Sequence, residues 1–153
     1  MKSFSTFKES IIDIPRSTYA PMVFDKEDTP NPVIKSSVIK MIDDQLADFE
    51  KEYPILKYTL IGSILTHRYR NDADLDINIL FDVPVEKRED ERVRLSKKYL
   101  SVKNPDNIQG INIPGTKHPV NYYFITDQET YDDQNTKADT TFCLLYTSPS
   151  PRD

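Results

Sequence analysis

Three aspartates at alternate positions carry the most informative chemistry of the sequence. Asp72, Asp74 and Asp76 stand directly before the apolar run Ile77–Phe81, and the first of them follows Gly62 by ten residues. A β-strand turns every second side chain to the same face, so Asp74 and Asp76 project together. Two carboxylates this close repel each other unless a cation or a proton intervenes. Hard oxygen ligands suit Mg²⁺, and we predict that these acids bind Mg²⁺ or Mn²⁺.

A Gly-Ser pair ends the apolar run Tyr58–Ile61 that precedes the acids. Backbone N–H groups at a turn that enters a helix form an anion site, because they have no helical partner and the helix dipole is positive there. We expect Gly62 to let the backbone approach a phosphate closely. Ser63 would add a hydroxyl donor to the same site.

The Gly-Ser pair, the spacer and the Asp74-x-Asp76 pair, each next to an apolar strand, resemble the signature of the nucleotidyltransferase fold. DNA polymerase β, poly(A) polymerases and the small bacterial minimal nucleotidyltransferases share this fold. The resemblance covers roughly residues 36–126. It implies a Mg²⁺-dependent enzyme that moves a nucleoside monophosphate from ATP or another nucleoside triphosphate to an acceptor. The acceptor is a protein, an RNA or a small molecule.

The chain departs from this family pattern at the third acid. Relatives usually carry a third carboxylate on the following strand, and the matching position holds Asn121. An amide oxygen can ligate a cation, but it carries no charge and cannot act as a base. By this resemblance the predicted catalytic positions are Asp74, Asp76 and Asn121. The alternatives are a catalytically impaired nucleotide- or RNA-binding domain and a phage structural or assembly scaffold.

The positive charge for a triphosphate is also rearranged relative to the family. Many minimal members carry an arginine directly after Gly-Ser, and Ile64 stands there in this chain. Arg68 and Arg70, with His67, are the candidate phosphate ligands, and an ordinary surface role in a loop is the alternative. His67 and His118 have no metal-ligand spacing, so we expect each to form local hydrogen bonds.

The three acids also have two other interpretations, an EF-hand calcium loop and ordinary surface acids. An EF-hand loop needs glycine at its sixth position and glutamate at its twelfth. Ile77 and Val83 stand at those positions, so the sequence excludes an EF-hand. Ordinary surface acids at the start of a strand are the remaining alternative.

Hydrophobic periodicity predicts the elements that must position these residues. Apolar residues at three- and four-residue steps indicate a helix that ends before Pro54, and Pro84 suits the first turn of a charged helix. The expected fold is α/β (α+β), a small mixed β-sheet with helices on one face. The predicted helices are 36–53, 63–69 and 84–99, and the predicted strands are 56–61, 75–81 and 120–125.

Three segments are predicted along the chain. Residues 1–34, with four prolines, are expected to form an extended N-terminal arm that packs on the domain, and disorder is the alternative. Residues 35–142 form the predicted nucleotidyltransferase-like domain, truncated at its C-terminal end. Residues 143–153 resemble a translated sequencing adapter, which predicts a non-native tail outside the domain and favours an environmental microbe or phage as the source. A natural Pro-Ser tail is the alternative.

Composition excludes several classes of protein. The single cysteine, Cys143, excludes a disulfide framework and a cysteine-based metal site. A net charge of −5 argues against broad non-specific nucleic-acid binding. No apolar stretch is long enough for a membrane span. We therefore expect a cytoplasmic protein, in the host cytoplasm if a phage encodes it, with no membrane partner.

Overall fold

A computed structural model describes residues 20–25, 33–65, 69, 71–136 and 141–144 of the 153-residue chain. Two short 3₁₀ helices lie at Ser63–Leu65 and Val85–Lys87. The elements in chain order are β1 Phe24–Asp25, β2 Val33–Ile34, α1 Ser36–Phe49, β3 Ile55–Ile61, β4 Leu75–Phe81, α2 Arg88–Tyr99, β5 Ile111–Asn112, β6 Pro119–Ile125, α3 Gln128–Thr136 and β7 Thr141–Leu144.

A five-stranded mixed sheet forms the centre of the domain, in the order β5-β6-β4-β3-β7. β4 and β6 are parallel, and the other neighbouring pairs are antiparallel. The strands β1 and β2 form a separate two-stranded ribbon. The predicted mixed sheet and α/β class are confirmed, and β3, β4 and β6 coincide within one residue with the predicted strands.

The main core lies between the sheet and the helices α1 and α2. Phe49, at the end of α1, is fully buried. Its ring meets Tyr99 of α2 edge-on, with centroids 5.1 Å apart. Tyr122 and Phe124 of β6 approach the same ring at 5.3 Å and 4.9 Å. Edge-to-face contacts of this kind add to the burial energy of the aromatic side chains, and they fix both helices on one face of the sheet.

The opposite face of the sheet carries α3, a helix that the sequence pattern did not predict. Tyr131 is its one buried residue, and it packs with Leu80 and Ile125. A helix with a single buried position has no apolar stripe for periodicity to detect. The predicted arrangement, with helices on one face, therefore describes α1 and α2 and omits α3.

Polar side chains fasten α3 to the sheet. Asn135 donates a hydrogen bond to the Thr59 hydroxyl at 3.1 Å and accepts one from Asn78 at 3.0 Å. The Tyr131 hydroxyl also contacts Thr59. Thr59 and Asn78 are buried, so these bonds satisfy polar groups that would otherwise be costly inside the fold.

The ends of the described chain contact the domain. Ala20, Val23 and Phe24 of the predicted N-terminal arm are fully buried. Cys143 and Leu144, placed by sequence in the tail, lie in β7 opposite Thr59 and Tyr58. β3 would otherwise be an open edge, and an open edge can pair with any strand-competent segment. Residues 1–19, 26–32 and 145–153 lie outside the described residues. Within the described part of the chain, no helix is long and apolar enough to cross a membrane.

Candidate active site

The paired acids lie where three neighbouring strands meet. Asp74 precedes β4 and is exposed, whereas Asp76 is the second residue of β4 and is half-buried. Asp76 is paired with Ile61 of β3 on one side and with Asn121 of β6 on the other. Gly62 follows Ile61 directly. The register of the sheet thus brings Gly62, both acids and Asn121 together.

Asn121 bridges the two carboxylates. Its side-chain Nδ2 donates to Oδ2 of Asp74 at 3.0 Å and lies 3.5 Å from Oδ1 of Asp76. One atom therefore lies within hydrogen-bond reach of both carboxylates, which shows that they converge on a common point. The residue at the position of the expected third acid occupies that point with a hydrogen-bond donor.

Gly62 packs directly against the acids. Its φ of +116° lies in a region that favours glycine, and a Cβ at this position would lie 3.3 Å from the carbonyl oxygen of Asp74 and 3.8 Å from Oδ2 of Asp76. Glycine therefore permits both the turn and the close approach of the two segments. Ser63 begins the 3₁₀ helix that follows this turn.

Gly62→Ala is expected to lower the free energy of unfolding by about 1–3 kcal/mol, because alanine is strained at this φ. It should also weaken Mg²⁺-ATP binding, since the new Cβ presses on the segment that carries Asp74. Gly115→Ala is the matched control, because Gly115 has a φ of +79° and no atom within 4 Å of a Cβ position. Urea unfolding and calorimetric titration measure the two effects. Equal nucleotide affinity of the two variants would contradict a role for the close approach at Gly62.

Electrostatics at the site are dominated by burial and by like charges. Burial raises the pKa of Asp76, the nearby charge of Asp74 raises it further, and the hydrogen bond from Asn121 opposes both. Burial also raises the pKa of Tyr123, and the charges of Asp76 and Asp74 add to that shift. Among the described residues, no lysine or arginine forms an ion pair with Asp74 or Asp76. The pair is thus suited to a cationic ligand.

The donor set fits a hard divalent cation with few protein ligands. In the described part of the chain, no three His, Cys, Asp or Glu side chains come together as a metal cluster. Asp72 is exposed in the turn before Asp74 and is not part of such a cluster. Two carboxylates converge, and a rotation of the Asn121 amide would offer its oxygen at the same point. Mg²⁺ is commonly held by one or two carboxylates together with substrate phosphates and water, and the residues present fit that pattern.

His118 positions the segment that carries the acids. Its ring is buried, and its Nδ1 is hydrogen-bonded to the carbonyl oxygen of Ala73 at 3.0 Å. A carbonyl only accepts, so Nδ1 carries the proton in this bond. Ala73 lies between Asp72 and Asp74, and the bond therefore ties the acidic segment to the start of β6. The expectation of a local hydrogen-bonding role agrees with this contact, but no signal in the sequence indicated its partner.

The structure describes only one of the other predicted phosphate ligands, Ser63, and that one only by its backbone. The backbone of Ser63 lies in the 3₁₀ helix that starts next to the acids. Arg68, Arg70 and His67 lie outside the described residues, so their predicted contacts with phosphate stay predictions.

Asp127, another acid close to the end of β6, accepts a hydrogen bond from the Thr130 backbone N–H at 2.9 Å. It therefore serves as the N-cap of α3.

The sequence resemblance implied a mixed sheet with paired carboxylates at the start of one strand and a glycine turn after its neighbour. The structure has this arrangement at the start of the central strand. A protein-family model described as a nucleotidyltransferase domain matches residues 42–127, more than half of the 153 residues. The chain belongs to this family of nucleotidyltransferase domains. Comparisons with curated proteins and with solved structures give no match.

Proposed function

We propose that this protein transfers a nucleoside monophosphate from a nucleoside triphosphate to an acceptor, with Mg²⁺ or Mn²⁺ held by Asp74 and Asp76. The observation that supports this proposal is the convergence of the two carboxylates beside Gly62. Nδ2 of Asn121 lies 3.0 Å and 3.5 Å from their oxygens. A Cβ on Gly62 would lie 3.8 Å from Asp76. An acidic pair and an open backbone turn at such short range suit a cation that bridges protein and phosphate.

Each residue has a separate role in this proposal. Asp74 and Asp76 hold the cation, which when bound offsets the negative charge of the phosphates. Gly62 leaves room for a phosphate to approach the backbone. Asn121 supplies a neutral third group that orients both carboxylates through its hydrogen bonds. The rate enhancement then comes from positioning and electrostatic stabilisation, as in other phosphoryl transfers.

A second candidate function is nucleotide binding without transfer. The observation that favours it is the amide of Asn121, which stands at the register position of Asp76 and in contact with both acids. An amide cannot accept the proton of an attacking hydroxyl, so it cannot replace a carboxylate that acts as a base. The two functions share the same cation site and differ in turnover.

The test uses the full chain with Mg²⁺ and each nucleoside triphosphate, labelled in parallel at the α- or the γ-phosphate. Protein, RNA and small-molecule acceptors are supplied together, and all products are separated. Transfer of the α-label with release of pyrophosphate is the expected result, and removal of the metal by EDTA should stop it. Transfer of the γ-label would indicate a kinase instead. Absence of both turnover and nucleotide binding would refute the proposal.

A further inference from the structure

A groove of about 340 Å³ runs along the outer edge of β6, between α2 and α3. We call it the edge groove. Its size falls within the range of small-molecule sites. The residues that matter here are Arg92 and Ser96 of α2, Tyr123 and Phe124 of β6, and Thr130 and Gln134 of α3.

The floor of the edge groove is a short length of open strand edge. β5 pairs with β6 only at Pro119 and Val120. At Tyr122 the side chain of Gln109 takes the place of a strand: its Oε1 accepts from the Tyr122 N–H at 2.8 Å, and its Nε2 donates to the Tyr122 carbonyl at 3.1 Å. The backbone N–H and C=O groups of every second residue point to the same edge of a strand, so those of Phe124 point outward like those of Tyr122. Among the described residues, no group forms a hydrogen bond with the N–H or C=O of Phe124.

Gln109 shows which chemistry this edge accepts. Its carboxamide is a planar group whose neighbouring acceptor and donor satisfy the N–H and C=O of one residue. The next outward position, Phe124, lies two residues or roughly 7 Å farther along the strand. A nucleobase presents the same pair of neighbouring acceptor and donor atoms on a planar edge. The half-exposed ring of Tyr123, 42% accessible, lines the same groove and offers a surface for stacking.

An extended peptide fits this edge less well than a base. Gln109 already covers Tyr122, and β6 ends at Ile125, close before the Asp127 cap of α3. Only Phe124 is left open, so an added strand would gain the hydrogen bonds of a single residue. Strand addition draws its affinity from a series of main-chain bonds, whereas a base needs only two.

The edge groove lies on the side of the acids opposite the glycine turn, and its lining on β6 begins at Tyr122, the residue after Asn121. Gly62 follows β3, the acids lie at the start of β4, and the groove lies along the outer edge of β6, so the three occupy successive positions across the sheet. In phosphoryl transfer the attacking and leaving oxygens lie roughly in line. If phosphates lie at Gly62, the attacking group comes from the β6 side, over Asn121 and Tyr123.

We propose that the edge groove binds the base of an acceptor nucleotide, through the outward N–H and C=O of Phe124 and the ring of Tyr123. The binding of a base rests on the groove itself, and the role of acceptor rests on the function proposed above. The acceptor is then a free nucleotide or the end of an RNA, which offer the same base to the groove.

The test titrates the ¹⁵N-labelled full chain with AMP, CMP, GMP and UMP without divalent cation, and follows the amide resonance of Phe124. At least one monophosphate should shift this resonance. Ser96→Trp, which fills the groove, should weaken the binding at least about tenfold, the value of one or two hydrogen bonds. Lys97→Trp, at the exposed neighbouring position of α2, is the matched control and should bind like the wild type. Gln134→Trp blocks the groove from α3 if Ser96→Trp fails to fold.

Three results would overturn the groove proposal. The Phe124 resonance could stay unmoved at saturating nucleotide, the groove-filling variants could bind as tightly as the control, or an extended peptide could shift Phe124 while nucleotides do not. A short oligoribonucleotide, titrated in parallel, separates an RNA end from a free nucleotide as the tighter ligand.

Failure of the base site and failure of the transferase activity give different experimental results. The variant with asparagine at both Asp74 and Asp76 should lose transfer and keep monophosphate binding in the groove, because neither acid lines it. A Phe124 shift without any turnover supports the base site and removes its acceptor role. Turnover on nucleotide acceptors without a Phe124 shift removes the base site and leaves the transferase in place.

Discussion

Replacing both Asp74 and Asp76 with asparagine is expected to abolish Mg²⁺-dependent nucleotide binding and to lower any transfer activity by on the order of 10²–10⁴-fold, the usual effect of a lost catalytic group. The two carboxylates are the charged groups that converge at the proposed cation site, and an amide binds a hard cation far less strongly. Calorimetric titration with Mg²⁺-ATP measures the first effect, and the labelled-triphosphate assay measures the second. Equal Mg²⁺-nucleotide affinity of variant and wild type would exclude these acids as the metal ligands.

The same variant should fold at least as well as the wild type at neutral pH. Burial and the charge of Asp74 raise the pKa of Asp76, so the folded state binds its proton more tightly than the unfolded state does. Stability contributed by that proton is present at low pH and is lost as the pH rises through the folded-state pKa. The advantage of the variant should therefore appear above the ordinary aspartate pKa and vanish below it. Asp82→Asn, at the exposed position just after β4, controls for the chemical change alone.

Asn121→Asp is expected to separate the enzyme from the binder. Asn121 lies at the register position of Asp76 and contacts both acids, so an aspartate there would complete a cluster of three carboxylates. If the chain binds nucleotide without transfer, the new acid should tighten metal binding and raise turnover from a very low level. A gain on the order of 10²–10⁴-fold matches the usual contribution of a proton-accepting group.

An active enzyme that uses the amide as it stands predicts the opposite result. The wild type then turns over unaided, and a third charge beside two like charges brings little gain or a loss, because the repulsion must be offset by added cation. Asn112→Asp, at an exposed position of β5, adds the same charge away from the acids and is the control. Initial rates at several Mg²⁺ concentrations distinguish the cases. A protein with neither turnover nor nucleotide binding in either form would leave the scaffold hypothesis as the best account.

The parts of the site that follow a simple period were predictable from sequence. Asp74 and Asp76 are two residues apart where β4 begins, and Asn121 is set in a short apolar run, so the alternation of side chains alone predicts their faces. The three strands that carry the site were found for the same reason. What the sequence could not supply was the register between strands, and the register is what places Asn121 beside Asp76.

Contacts between residues that are far apart in the sequence could not be predicted from the sequence pattern. The bond between His118 and the Ala73 carbonyl joins positions 45 residues apart, and no spacing rule links a histidine to a backbone carbonyl. Gln109 covers the edge of Tyr122 with a side chain from a loop. β5 has only two residues, too few for an alternating pattern. β7 begins before the predicted end of the domain and continues to Leu144, inside the segment that resembles an adapter.

The polar attachment of α3 divides the stability of the domain unevenly. α1 and α2 are held by a continuous apolar core, whereas α3 buries one side chain and depends on the hydrogen bonds of Asn135 and Tyr131. Local opening takes place where few apolar contacts must be broken, so detachment of α3 needs less free energy than global unfolding. Because α3 forms one wall of the edge groove, a ligand bound across the groove also stabilises the docked helix. Ligand binding in the groove and docking of α3 are thus linked equilibria, so a change that loosens α3 also lowers the ligand affinity.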